Sequence, residues 1–160
     1  MDDFHTFRNR LPQWRLSGAV YSITFRLHQS QSPLAASERG AVVEALKRHH
    51  SQRYRLYAYV VMDDHVHAVG QPLADNELSR ILHTWKSFTA HRLQRERSRR
   101  GSIWQKDTYT RIIRTDDELY ETAVYLLNNP RRRWPDLTDY SWAEYIQSGG
   151  TAAAATEEES

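Results

Sequence analysis

Regular alternation of apolar and polar residues predicts the first strand, residues 19–27. Its apolar positions fall on one face and its polar positions on the other: Ala19, Tyr21, Ile23, Phe25 and Leu27 against Ser22, Thr24 and Arg26. Three further stretches rich in β-branched and aromatic residues, 54–62, 65–69 and 108–113, are also predicted to be strands. Because only Asp63-Asp64 separates 54–62 from 65–69, these two stretches are predicted to form a hairpin.

Apolar residues at helical spacing predict three helices between and after these strands. They cover about residues 37–49, 75–97 and 116–128. Ser37, either Asp75 or Asn76, and Thr115 are the predicted N-caps, and Glu118 completes a capping box with Thr115. The order of strand, helix, two strands, helix, strand and helix predicts an α+β fold with a mainly antiparallel sheet.

Length and composition indicate one domain without a membrane span. The chain has 160 residues and a mean hydropathy of −0.77, and a membrane span needs about 20 consecutive apolar residues. We predict a single domain over residues 1–148 and an acidic tail over 149–160, which is rich in Gly, Ala and Glu. The absence of cysteine excludes disulfide scaffolds, Cys-zinc sites, iron–sulfur clusters and thiol nucleophiles.

Charge favours an anionic partner. The formal net charge is +2, and three of the 20 acidic residues lie in the tail, which leaves the predicted domain more basic. Two arginine clusters are candidate nucleic-acid contacts: Arg92, Arg95, Arg99 and Arg100 at the end of the second helix, and Arg131, Arg132 and Arg133 after the third. The alternative interpretation is a solvated charged surface.

Two histidines form the first candidate site. On a strand, His65 and His67 point to the same face, and neutral imidazoles are good ligands for a divalent metal. Asp63 and Asp64 are either turn residues or partners that orient the imidazoles. Two hydrogen-bonded surface histidines would give the same sequence pattern.

Tyr125 is the second candidate. Helical spacing places it nearly opposite the apolar stripe of the third helix, where a core tyrosine would not lie. A tyrosine hydroxyl can attack phosphorus, and Asn129, one turn later, could bind a metal or phosphate beside it. An exposed tyrosine followed by an Asn-Pro helix stop is the alternative. With the histidine pair, these residues fit metal-assisted phosphodiester cleavage.

Across about residues 10–145, the chain resembles the REP-associated tyrosine transposases, within the single-tyrosine HUH transposase superfamily. The matching segments, in order, are Arg10-Leu11-Pro12, Tyr21 to Leu27, Met62 with His65-Val66-His67, Ile103-Trp104-Gln105, and Tyr125 to Pro130. The resemblance implies a ferredoxin-like antiparallel sheet flanked by helices. It also implies His65, His67 and Asn129 as metal ligands and Tyr125 as the nucleophile.

The resemblance further implies a reaction and its partners. The reaction is cleavage and rejoining of single-stranded DNA near a hairpin, with a 5′-phosphotyrosine intermediate and Mg²⁺ or Mn²⁺ as cofactor. Arg8, Arg10 and Trp14 would form an N-terminal arm that contacts DNA. We expect a bacterial, cytoplasmic, nucleoid-associated protein, either a monomer or a homodimer, with no membrane or small-molecule partner.

Two segments depart from the family pattern. Asp63-Asp64 stands where the family usually has Pro followed by Asn or Asp, and Arg131 to Trp134 stands where it commonly has Val-Arg-Ala-Gly. We therefore do not carry over the family's metal preference or its hairpin sequence.

Two other functions remain open from the sequence. A non-catalytic module could bind single-stranded nucleic acid on a sheet, with Tyr54, Tyr57 and Tyr59 as a stacking platform. A metal hydrolase could use the same histidines with a bound water and would not need Tyr125.

Overall fold

The computed structural model describes residues 18–146 and confirms the predicted α+β architecture. Five strands and four helices follow one another: β1 Val20–Leu27, α1 Ala36–Lys47, β2 Tyr54–Val61, β3 His65–Pro72, α2 Leu78–Arg97, β4 Trp104–Ile113, α3 Asp116–Leu127, α4 Asn129–Arg133 and β5 Ala143–Tyr145. The first six have the β-α-β-β-α-β order of a ferredoxin-like fold. Arg8, Arg10, Trp14 and the predicted tail lie outside the described residues.

All five strands form one antiparallel sheet in the order β4-β1-β3-β2-β5. The predicted β2–β3 hairpin is present, and its third residue pair sets Tyr59 opposite Ala68. Strand β3 lies at the centre of the sheet, with His65 opposite Arg26 and His67 opposite Thr24 on β1. The two candidate histidines therefore lie on the central strand of the sheet, which has two strands on either side.

Helices cover both faces of the sheet. Helices α1 and α2 pack on one face, where Phe25, Val66 and Trp85 are buried in one core cluster. Helix α3 packs on the other face, where Ala123 and Leu126 join Val69, Val60 and other residues of a second cluster. Trp104 is buried in the same cluster as Trp85. Below, the α3 face means the side of the sheet that α3 covers.

The predicted tyrosine stacking platform is wrong. Tyr54, Tyr57 and Tyr59 are only 3%, 2% and 2% exposed, because α1 and α2 cover one face of β2 and α3 covers the other. Their hydroxyls are used inside the protein, as in the bond from Tyr57 to Gln71 at 2.9 Å. These rings cannot stack on nucleic-acid bases without the core opening.

Element ends differ from the prediction in several places. Helix α1 begins after Ala35, not Ser37, because the Glu38 carboxylate accepts the Ala35 N–H at 2.8 Å. Helix α2 begins after Glu77, and the Asn76 amide instead donates to the Leu73 carbonyl. The Thr115 cap is confirmed: its hydroxyl accepts the Glu118 N–H at 3.1 Å.

The two edge strands of the sheet, β4 and β5, were predicted least accurately. Strand β4 begins at Trp104, four residues earlier than predicted, and the three-residue strand β5 was not predicted. Pro130 does not simply end α3. It is buried in the first turn of α4, where the N–H it lacks is not needed.

Two members of the arginine cluster at the end of α2, Arg92 and Arg99, are paired with α1, which corrects their interpretation as nucleic-acid contacts. Arg99 is 9% exposed at its side chain and donates to both Glu38 carboxylate oxygens at 2.6 and 2.8 Å. It also donates to the Ser32 and Pro33 carbonyls at 2.9 and 3.0 Å. Arg92 donates to Glu44 at 2.7 Å. Arg99 therefore joins two segments of the fold, and its donors are not available to DNA.

Arg95 and Arg100 remain accessible to a partner. The Arg95 side chain is 69% exposed, with Glu96 at 3.7 Å, and Arg100 is also exposed. Their contact with a DNA backbone stays a prediction.

Among residues 18–146, none of the helices combines the length and apolar character needed to cross a bilayer.

Candidate active site

His65 and His67 lie side by side on the α3 face of β3. The intervening Val66 is fully buried in the opposite core cluster, as strand alternation requires. Both histidines are half-buried. A ligand can therefore reach their rings, while the surrounding residues restrict them. The predicted convergence of the two imidazoles on one face is confirmed.

Two polar side chains fix the His65 ring. Its Nδ1 lies 2.8 Å from the Asp64 carboxylate, and its Nε2 lies 3.3 Å from the Asn129 amide nitrogen. The matching tautomer has Nδ1–H donating to Asp64 and an Nε2 lone pair facing Asn129. Asn129 therefore reaches His65, the histidine with which the family resemblance groups it.

Asp64 is held in its ionised form. Burial alone would raise the pKa of its carboxyl, but the hydrogen bond from His65, together with nearby positive charge that includes Arg133 and Arg26, leaves the pKa below its usual value. An ionised carboxylate is a strong acceptor for the imidazole N–H. Of the two roles left open for Asp64, the structure supports the partner that orients an imidazole.

His67 is held neutral. Burial is the main cause and nearby positive charges are the smaller one, and together they lower its pKa to about 4. The guanidinium groups among those charges belong to Arg111, Arg132 and Arg26. Its Nε2 lies 3.0 Å from the Ser22 hydroxyl. At neutral pH the ring is therefore uncharged, which is the form that binds a metal.

Tyr125 lies on the outer side of α3, as predicted. It is 58% exposed, whereas its neighbour Leu126 is fully buried. The Arg132 guanidinium lies over the Tyr125 ring, 3.9 Å from its centroid, and donates to the Tyr125 carbonyl at 3.0 Å. The ring is thus held on one side by a cation, while its hydroxyl end remains accessible.

Helix α4 connects the tyrosine to the histidines. Asn129 at its start lies beside His65, and Arg132 near its end covers Tyr125. Its last residue, Arg133, donates to the Asp63 carboxylate at 3.0 Å and lies 3.6 Å from Asp64. The two departures from the family pattern, at 63–64 and 131–134, are therefore in contact with each other.

A cationic rim surrounds the site, and sequence reasoning missed two of its members. Arg26 and Arg111 both lie on the α3 face: Arg26 opposite His65, and Arg111 opposite Ser22. Arg111 also reaches the Thr122 hydroxyl of α3 at 3.4 Å. The signal for Arg26 was its place on the polar face of β1. Arg111 could be placed only from the strand register.

The set of side chains that could bind a metal ion at this site is small. Within residues 18–146, no group of three or more His, Cys, Asp or Glu residues is arranged to hold a metal ion. The candidate ligands that the structure brings together are His65 and Asn129, with His67 two residues further along the same strand face.

The chain was compared with known proteins. The family model described as "Transposase IS200 like" matches residues 16–126, from β1 to nearly the end of α3. A solved structure of a REP-associated tyrosine transposase bound to a REP hairpin is 21% identical, with a TM-score of 0.59. The match covers 82% of this chain and 94% of that one, which shows a shared fold. A search of curated proteins gave no significant match. Because the family model matches more than half of the chain, this protein belongs to the IS200-like transposase family.

Proposed function

We propose that this protein is a metal-dependent endonuclease and strand transferase that cleaves single-stranded DNA at or near a hairpin. The Tyr125 hydroxyl is the nucleophile. The observation that carries the proposal is α4, which sets Asn129 beside His65 and Arg132 over Tyr125. The proposed nucleophile, the candidate metal ligands and a cation are thus linked through one short helix.

The chemistry follows from the exposed phenol. A bond forms between the Tyr125 oxygen and phosphorus, and the bond from phosphorus to the 3′-oxygen breaks. The phenol proton leaves to solvent, which reaches this half-exposed side chain, and the departing oxygen takes up a proton as a 3′-hydroxyl. The products are a 5′-phosphotyrosine and a free 3′ end, and reversal with another 3′-hydroxyl rejoins DNA.

The donors fit a divalent cation. The neutral His67 ring, the His65 lone pair at Nε2 and the Asn129 amide oxygen, after rotation of that amide, are N and O ligands of the kind Mn²⁺ and Mg²⁺ accept. When bound, the ion would polarise the scissile phosphate and offset charge on the leaving oxygen. Asp64 would keep the His65 ring in the ligating orientation.

Hairpin DNA is the proposed partner. Arg26, Arg111 and Arg132 place three guanidinium groups around the histidines and Tyr125, and guanidinium groups bind phosphates well. The solved transposase of the same fold carries a REP hairpin. We propose the same class of partner, a DNA hairpin, for this chain, but not the nucleotide sequence of the REP hairpin. Arg131, exposed on α4, is a further candidate phosphate contact.

A trapping experiment tests the function. The purified protein is incubated with labelled single-stranded DNA hairpins and Mn²⁺, and products are separated on a denaturing gel. We expect a covalent adduct whose tryptic peptide carries the nucleotide on Tyr125, and no adduct in EDTA. Cleaved DNA without any adduct would contradict the tyrosine mechanism and favour a metal-bound water. Tight binding without cleavage would favour a binding module.

Arg111→Gln should weaken DNA binding. The change removes one guanidinium that faces the site, so Kd for a single-stranded hairpin should rise about three- to tenfold, and the slope of log Kd against log salt should fall by about one. Fluorescence anisotropy at several salt concentrations measures both. The matched control is Arg114→Gln, an exposed arginine just beyond the end of β4. Equal effects of the two variants would show a non-specific charge effect.

A further inference from the structure

We propose that Asp63 and Arg133 form a positioning clamp that holds α4 against the β2–β3 turn. We call this ion pair the α4 clamp. By fixing the end of α4, it sets Asn129 beside His65 and Arg132 over Tyr125. The inference rests on the proposed function, and it assigns to Arg133 a positioning role in place of the predicted contact with DNA.

The turn is a firm anchor. The Asp63 side chain is only 14% exposed, and its backbone carbonyl accepts the Leu34 N–H at 2.8 Å, which ties the turn to the segment before α1. One carboxylate oxygen accepts from Arg133 at 3.0 Å. The other is buried and has no hydrogen-bond partner among the described residues. Without Arg133, this buried carboxylate would lose the cation that compensates its charge.

Helix α4 needs such an anchor. It has five residues, and a helix this short has little stability of its own, so tertiary contacts decide its position. Pro130 packs it at the start, and the α4 clamp fixes its last residue. Arg132 directly precedes Arg133, the member of the α4 clamp that lies on the helix. A displacement of Arg133 would therefore move the guanidinium that lies over Tyr125.

Arg131 offers a matched comparison on the same helix. Its side chain is exposed and it is a predicted phosphate contact, whereas Arg133 is paired with Asp63. Arg133→Gln and Arg131→Gln remove the same charge from neighbouring positions. A phosphate contact acts on DNA binding, but a positioning pair acts on the rate once DNA is bound.

Single-turnover cleavage separates the two roles. We expect Arg133→Gln to lower the rate at saturating hairpin DNA about tenfold, with little change in the half-saturating DNA concentration. Arg131→Gln should instead raise the half-saturating concentration. Asp63→Asn should reproduce most of the loss in Arg133→Gln, and the double variant should be no slower than Arg133→Gln, which already removes the contact with Asp63 together with the longer one with Asp64. Additive losses, or a pure binding defect in Arg133→Gln, would overturn the clamp.

Hydrogen exchange without DNA tests the clamp apart from catalysis. The Arg132 and Trp134 amides donate to the Asn128 and Pro130 carbonyls and report on α4 directly. They should exchange at least about threefold faster in Arg133→Gln and Asp63→Asn than in the wild type or Arg131→Gln. If the wild type fails to cleave DNA, the proposed function fails while this result still decides the clamp. Unchanged exchange in both clamp variants would refute it.

Discussion

Tyr125→Phe should abolish the covalent protein–DNA adduct and lower the cleavage rate by at least about 10⁴-fold. Phenylalanine keeps the ring on which Arg132 lies but lacks the oxygen that would bond to phosphorus. Since Tyr125 is 58% exposed, loss of its hydroxyl should leave the fold and the DNA affinity nearly unchanged. Denaturing gels measure the adduct, single-turnover assays measure the rate, and anisotropy measures the binding.

Tyr109→Phe is the matched control for this prediction. Tyr109 is 57% exposed and lies opposite Thr24, on the same face of the sheet as the histidines, but on β4 rather than on α3. This variant should form the adduct at the wild-type rate. A normal adduct in Tyr125→Phe, or its loss in Tyr109→Phe, would show that the nucleophile was assigned to the wrong side chain.

The local part of the site could be predicted from sequence periodicity. The i, i+2 spacing of His65 and His67 settles that they share a strand face, and helical spacing settles that Tyr125 avoids the core. Both depend only on the regular geometry of one element. The residue types suggested a metal site and a nucleophile, and the family resemblance favoured these roles over the alternatives left open.

The parts that failed depend on contacts between distant segments. Arg99 seemed unpaired in the sequence because its partner, Glu38, lies 61 residues earlier in the chain. Arg111 could be placed near His67 only through the pairing of β4 with β1 and of β1 with β3. Both pairings join strands that are far apart in the chain, so the pattern within one strand does not show which residues of the other lie opposite.

The sequence of strand β2 already argued against the tyrosine stacking platform. Residues 54–61 are nearly all apolar or aromatic without clear alternation, a pattern typical of a strand buried on both faces. The structure shows this burial, with α1 and α2 on one side and α3 on the other. An exposed nucleic-acid-binding face would instead have shown polar residues at every second position.

Arg99→Met should lower the free energy of unfolding by about 3 kcal/mol at pH 7, and Tm by about 6–12 °C. The change keeps the apolar stem but removes the cation that pairs with Glu38, which is 3% exposed. A buried carboxylate without its partner is costly. Urea denaturation and thermal unfolding measure the loss. Arg97→Met is the control, since Arg97 is 49% exposed and 3.8 Å from Glu38, and should cost no more than about 0.5 kcal/mol.

The same pair predicts the pH dependence of this loss. The hydrogen bond from Arg99 outweighs the opposing effect of burial and holds the pKa of Glu38 below its ordinary value. A carboxyl with a lowered pKa in the folded state stabilises the protein above its unfolded pKa, and this contribution disappears as pH falls through the folded pKa. The difference between wild type and Arg99→Met should therefore be full at pH 7 and shrink as pH falls through the acid range in which Glu38 takes up its proton in the two folded proteins. A difference that stays constant over this range would show that Arg99 acts through its carbonyl hydrogen bonds rather than through Glu38.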